Sequence, residues 1–458
     1  MPLSLQRRDF LVGAAALAAW PRCLLADAPP GQAAVWENPD GTATDSVMVR
    51  RLYLDLAGRI PTKAEAQEYV LSSDGGKRSA LVDRLLASPE FADYWAMRFC
   101  DILRVKSEFP INLWPNAVYV YHSRIRAFVT RNEPWSAFGR ALLTSQGSDF
   151  RDAEVNFFRA TDKRTPEGWA EAVAQTFLGI TPDALPPARR AGLSKAFANL
   201  RIKNTREWKE EIVYVDGADR RPELCNRLFG GRRAEVAAAF HARIRGWIFG
   251  PGAPAVSYGG ELRLENVLRK IALSDEYARG SVTGGFAARR LDAEVLDDAI
   301  CALSGASRSY QSPAPEPFTY LPGGRPTVCV EDGSISSSFL SLFGRPARDT
   351  GLEDERGSGV TAKQRLYLFN SGRLHGLLGR VVMPGGWQKN PLSKLPVPQR
   401  VGDLYWRILS REPTDEERGH VMDLWRRRRE RSKGAKPFDL MRDVAWCLFN
   451  TKEFLFRI

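Results

Sequence analysis

Histidine is scarce here. The 458 residues hold four, His122, His241, His375 and His420, and neither H-x-x-x-H nor H-E-x-x-H spacing joins any two of them. A histidine-built metal site and a Ser-His-Asp triad therefore lack sequence support. Six cysteines are present with no C-x-x-C spacing, which excludes a zinc ribbon and a c-type haem attachment. A G-x-S-x-G elbow, a P-loop and a dinucleotide fingerprint are missing too; Gly230-Gly231 and Gly259-Gly260 are lone pairs of the kind that make turns. No apolar run is long enough to cross a bilayer as a helix. The excess of one charge sign is mild: the formal net charge is +12, and hydrophobic and charged contents of 44% and 26% are those of an ordinary soluble chain.

The first residues depart from that average. Arg7-Arg8-Asp9-Phe10-Leu11 precedes an Ala-rich apolar stretch from Val12 to Trp20, then Pro21 and small residues at Ala26 and Ala28. Basic, apolar and cleavable, in that order, is an export signal, and paired arginines before x-Phe-Leu look like the twin-arginine type. Residues 1–26 are thus expected to be a signal peptide and the mature protein to be periplasmic or extracellular. Cleavage would leave Cys100, Cys225, Cys301, Cys329 and Cys447, an odd set whose pairing the sequence leaves open. An exported location also argues against nucleic acid as a partner.

What is present in abundance is helical patterning. A phrase near the start, Leu52-Tyr53-Leu54-Asp55-Leu56-Ala57-Gly58-Arg59-Ile60-Pro61-Thr62-Lys63-Ala64-Glu65, returns at 404–417 with Leu, Tyr, Arg, Pro, Thr and Glu in register. It reads as a corner between two helices: an apolar run ends at Arg-x-Pro, because Pro disfavours a helical residue before it. Thr then caps the next helix, with Glu three residues on closing a capping box. A second echo, Ser88-Pro89-Glu90-Phe91 and Thr451-Lys452-Glu453-Phe454, with Ser274-Asp275-Glu276-Tyr277 between them, marks further caps.

The fold expected is mainly α, packed helical pairs with at most small β ribbons. Residues 27–45 read as a linker, 46–249 as an N-terminal helical domain, 250–260 as a Pro/Gly linker and 261–458 as a C-terminal helical domain. Tyr119, His122, Ile125 and Val129 form one expected helical stripe. Ile212–Val215 and Thr327–Val330 are the strand candidates.

These residues resemble two exported domain families described mainly from planctomycetes, of unknown function, that accompany cytochrome c domains. Arg50-Arg51-Leu52-Tyr53-Leu54-Asp55-Leu56, Leu81–Pro89 and Asn132-Glu133-Pro134-Trp135 carry the first resemblance. Arg290–Leu296, Phe343-Gly344-Arg345-Pro346, Glu355-Arg356, Leu368-Phe369-Asn370-Ser371 and Asp443–Trp446 carry the second. Many relatives place Cys-x-x-Cys-His after Phe-Leu-Gly, where this chain has Phe177-Leu178-Gly179-Ile180 and then Thr181-Pro182-Asp183-Ala184-Leu185-Pro186. Relatives also place two cysteines before the Glu-Arg pair, where Leu352 and Asp354 stand here. The chain thus resembles a divergent member without thioether ligands, and no recognisable cofactor is expected.

The densest polar constellation is Arg345-Pro346-Ala347-Arg348-Asp349-Thr350 with Glu353-Asp354-Glu355-Arg356. Guanidinium and carboxylate groups so close build an ion-pair network or hold an anion. Arg345, Arg348, Asp349, Glu355 and Arg356, with Asn370 and His375, are the candidate ligand- or partner-binding residues. Arg426, Arg427, Arg428 and Arg429, near a helix end, are a possible anionic-partner surface. The reading that results is an exported accessory protein of the cell envelope, bound to a co-exported or envelope protein partner and without a recognisable catalytic site. The alternative is a periplasmic redox component or enzyme using the Arg/Asp/Glu cluster or a non-covalent cofactor.

Overall fold

Helices carry the fold, as the patterning predicts, and among the described residues strand is confined to a small three-stranded antiparallel sheet and a two-stranded ribbon. The computed structural model describes residues 33–384 and 391–458, so the signal-like stretch 1–26 and part of the Met383–Pro398 loop lie outside the described residues. The longer helices are α1 (Asp45–Leu52), α2 (Lys63–Val70), α3 (Lys77–Leu86), α4 (Pro89–Ile102), α5 (Pro115–Thr130), α6 (Trp135–Thr144), α7 (Pro166–Leu178) and α8 (Arg233–Phe249). After residues 250–260, which hold no regular element, come α9 (Leu264–Ala272), α10 (Ala293–Ser304), α11 (Ala362–Asn370) and α12 (Gly372–Val382). The last are α13 (Val397–Leu409), α14 (Asp415–Arg431) and α15 (Pro437–Phe449). Helices α4 and α5 pack as one pair, α7 with α8 as another, and α15 lies against both α12 and α13.

Strands β1 (Gly147–Ser148), β2 (Leu200–Asn204) and β3 (Glu211–Val215) form a sheet ordered β1-β3-β2, with Ile202 opposite Val213. The strand expected at Ile212–Val215 is β3. The other, at Thr327–Val330, is instead a 3-10 turn over Thr327–Cys329. Its backbone N–H groups at Thr327 and Val328 donate to the Asp298 carboxylate at 2.7 and 3.1 Å, so they are not available to a ladder. A two-residue ribbon joins β4 (Arg289–Arg290) to β5 (Phe456–Arg457).

The stripe expected on α5 also shifts. Tyr119 is 64% exposed, and the buried face is Val118, Tyr121, His122, Ile125, Phe128 and Val129. At 100° per residue Tyr119 lies well off the line through Val118, Ile125 and Val129. Aromatic rings fill the space between α4, α5, α6 and α8: Phe99 packs on Phe128, Trp135 and Trp247 with centroids 5.3–5.6 Å apart. Within the stretch 27–45, Trp36 and Glu37 are buried, and Glu37 accepts from the N–H groups of Val282 and Thr283.

Both copies of the repeated phrase build the same corner, although the last turn before it is a π-helical turn over Tyr53–Ala57 in the first copy and α-helical in the second. Each first helix ends at a left-handed residue, Gly58 at φ 62° and Ser410 at φ 63°, one position before the arginine. Each arginine then lies over the tyrosine ring, Arg59 at 4.7 Å from Tyr53 and Arg411 at 5.3 Å from Tyr405. Each grips the capping-box glutamate with two nitrogens, Arg59 to Glu65 at 2.8 and 2.9 Å and Arg411 to Glu417 at 2.7 and 2.9 Å. Thr62 and Thr414 cap the following helices with complete capping boxes. The second echo supplies another carboxylate: Glu90 reaches Arg59 at 3.7 Å and Glu453 reaches Arg411 at 2.8 Å. In the middle copy Glu276 binds Arg245 at 2.7 Å. The two corners touch through α2 and α13, where Lys63 pairs with Asp403 at 2.8 Å.

Candidate functional site

The segment from Gly344 to Gly357 is a closed loop. The Gly357 N–H donates to the Gly344 carbonyl at 3.0 Å, and a Cβ on Gly344 would lie 2.3 Å from the Gly357 oxygen, at a φ of +81° that favours glycine anyway. Across its mouth the loop drops three arginines into the protein. Arg348 Nε donates to Asp101 at 2.9 Å and its Nη1 to the carbonyls of Val105 and Glu331. Arg356 reaches both Asp101 (2.8 and 2.9 Å) and Glu294 (2.7 and 3.1 Å). Arg345 lies 3.4 Å from Glu294 and donates to the carbonyls of Ile335, Val330 and Asp332. Asp101 comes from α4 and Glu294 from α10, so the loop clasps one helix from each half of the chain.

Burial alone would raise Glu294, yet Arg356 and Arg345 pull it down to about 2. Burial likewise disfavours the Arg356 charge, but Asp101 and Glu294 hold its pKa well above the ordinary value. Glu294 and Arg356 are therefore both charged at neutral pH. Asp349 and Glu355 occupy the outer side of the same loop. Asp349 pairs with Lys106, while Glu355 accepts from the N–H groups of Asp349 and Thr350. Asn370 and His375 are not in this cluster. Asn370 is exposed at the end of α11, and His375, on α12, meets the Phe369 carbonyl at 3.1 Å and stacks on Trp446.

Beside the clasp opens a cavity of about 390 Å³. Arg98, Arg289, Arg290, Arg356 and Arg457 line it, with Asp292, Glu353 and Asp354, and Tyr94, Trp247, Leu54 and Val295 give it an apolar wall. The sequence pattern pointed to Arg356 alone among these arginines. The others sit on α4 and the β4–β5 ribbon, and only folding brings them together.

A second feature escaped sequence reasoning. Trp114, Trp208 and Phe318 meet at the surface as a triangle of rings with centroids 5.4–5.5 Å apart. Trp208 is 64% exposed, and Tyr320, two residues from Phe318, is 75% exposed. The legible signal was a tryptophan in the middle of the charged turn Arg206-Glu207-Trp208-Lys209-Glu210. Trp208 also lines a cleft of about 550 Å³ together with Asn112, Arg164 and Thr205.

Of the four-arginine run, Arg426, Arg427 and Arg429 are exposed on α14 and Arg428 is half-buried against Asp443. All five cysteines in the described residues are free. Burial raises the thiols of Cys100, Cys329 and Cys447 to about 12 and that of Cys225 to about 11, so they stay protonated at neutral pH. Between Gly179 and Pro186 the chain has no cysteine or histidine, so this stretch offers neither thioether nor imidazole ligand to a covalently attached haem. No described helix is long and apolar enough to cross a membrane.

Comparison with known proteins gives two ordered matches. Residues 33–186 match the family model described as PSCyt2, a protein of unknown function (DUF1549). Residues 261–425 match that described as PSD1, a protein of unknown function (DUF1553). Neither the curated proteins nor the solved structures include a match.

Proposed function

For a chain that joins these two families of unknown function, DUF1549 and then DUF1553, in N- to C-terminal order, we propose an exported accessory role in the cell envelope. In this reading the protein docks a protein partner through the ring triangle of Trp114, Trp208 and Phe318. The observation that carries it is the exposure of these rings. A folded chain with ample core does not leave a tryptophan 64% exposed against two other aromatics without cost, and contiguous apolar surface rimmed by charge marks a contact site. Tryptophan and tyrosine are also the residues that supply most of the binding energy in interface centres. Lys209, 5.6 Å from the Trp114 ring, and the exposed Glu207 provide the polar rim. The alternative reading, an enzyme or redox component, has one support: the arginine-lined cavity.

A photo-crosslinking residue at position 208 tests the proposal in intact cells. The expected product is one discrete protein adduct in the periplasmic fraction, lost with Phe318→Ser and absent when the crosslinker is placed at position 427. An adduct only with envelope glycan, no adduct, or recovery only from the cytoplasm would overturn it.

A further inference from the structure

We infer that the cavity between α4, the β4–β5 ribbon and the 344–357 loop is a binding site for a small organic anion, with a single carboxylate or phosphate head and an apolar body. The key residue is Arg98. Its side chain is only 9% exposed, it lines the cavity, and it makes no hydrogen bond to the described residues. Its nearest carboxylate is Asp292, at 3.7 Å and shared with Arg356 at the same distance. Asp292 and the rings of Tyr94 and Trp247 support its charge, but no acceptor meets its N–H groups. A buried N–H group without an acceptor, as at Arg98 Nε, is rare and calls for a specific reason.

The arginines around it sharpen the case. Arg356 and Arg457 are neutralised by Asp101, Glu294 and Asp55. Arg289 and Arg290 donate to backbone carbonyls, those of Gly246, Trp247 and Ile248 for the first and of Leu291, Gly357 and Gly359 for the second. Neither has an ion-pair partner among the described residues. Opposing them, Glu353 is engaged by Arg243 at 2.7 Å, which leaves Asp292 and the exposed Asp354. The lining therefore keeps a positive surplus in a recess partly shielded from water, where a charge-assisted bond gains most.

The shape selects the rest of the ligand. A volume of about 390 Å³ lies at the small end of the range for organic ligands. The Arg98 guanidinium lies over the Trp247 ring at 5.5 Å and the Tyr94 ring at 6.0 Å, which fixes its place in the cavity wall, while Leu54 and Val295 add apolar surface for the body of the ligand. This site is separate from the ring triangle, and either proposal can fail without the other.

Calorimetric titration of the full chain with 2-naphthoate and with phenyl phosphate, using 2-naphthamide as the uncharged control, tests the inference. One saturable site is expected for at least one anion and none for the amide. Arg98→Met should weaken binding on the order of tenfold to a hundredfold while the free protein keeps its fold by circular dichroism. Ser358→Trp, which fills the cavity mouth from an exposed loop and leaves every buried charge in place, should abolish binding with the fold intact. Binding equal to that of the amide, unchanged affinity in both variants, or no heat with either anion at millimolar concentration would overturn the proposal.

Discussion

Glu294 shows how one side chain can tie distant segments together. It is fully buried on α10 yet receives Arg356 in a fork, with Arg345 at 3.4 Å. Replacing one partner of a buried pair leaves the other charge uncompensated, which costs about 3–5 kcal/mol. Glu294→Gln should lower the unfolding free energy by about that amount at neutral pH. Its folded-state pKa of about 2 lies below the ordinary 4.5, so its contribution is complete above pH 4.5 and is lost as the pH falls toward 2. Denaturant unfolding at several pH values should therefore show parent and variant converging across that window. A constant gap down to pH 2 would mean the carboxylate is not what holds the clasp.

At the level of the element, the repeated corner is a small device of fixed parts. Thr caps the helix, Glu closes the box, Arg bridges Glu to the Tyr ring, and a second Glu from the next cap locks the Arg from behind. Arg411 is buried between two carboxylates, whereas Arg59 and Glu65 are part-exposed, so the second copy depends more on the ion pair. Thr62→Ala and Thr414→Ala should each cost about 1 kcal/mol by loss of the cap. Arg411→Met should cost more than Arg59→Met, because only the former leaves two carboxylates buried and unpaired. Thermal melts of the four single variants check the order.

The whole molecule is stitched across the 250–260 stretch, which we retain as a proposed boundary between helical halves. Buried Arg50 donates to the carbonyls of Ile408 and Phe454 at 2.9 and 3.0 Å, and buried Arg51 to those of Ile458, Tyr277 and Arg279. Arg457 returns the contact to Asp55, which also accepts from Tyr277 at 2.8 Å. One hydrophobic cluster runs from Trp36 to Ile458 through both halves. A protease site engineered into 250–260 should give two fragments that co-elute and melt together once cut. Asp55→Asn combined with the cut should loosen them, and fragments that separate without that change would argue against the stitching.

Helix content, the caps and the doubled corner were determined by local signals: period, proline, and Thr or Ser followed by Glu. These act within a few residues, so chain order alone carries them. The arginine motif at 345–356 was visible too, but the acids it serves, Asp101 and Glu294, lie on helices far along the chain. Whether those charges meet each other or solvent depends on which helices pack. Thr327–Val330 failed as a strand because Asp298, from another segment, took its N–H groups. Arg98 without a hydrogen bond, and three aromatic rings from three loops at one point on the surface, are properties of the packed molecule. A linear pattern records a residue's neighbours in sequence, and only the tertiary structure decided which side chains share a cavity.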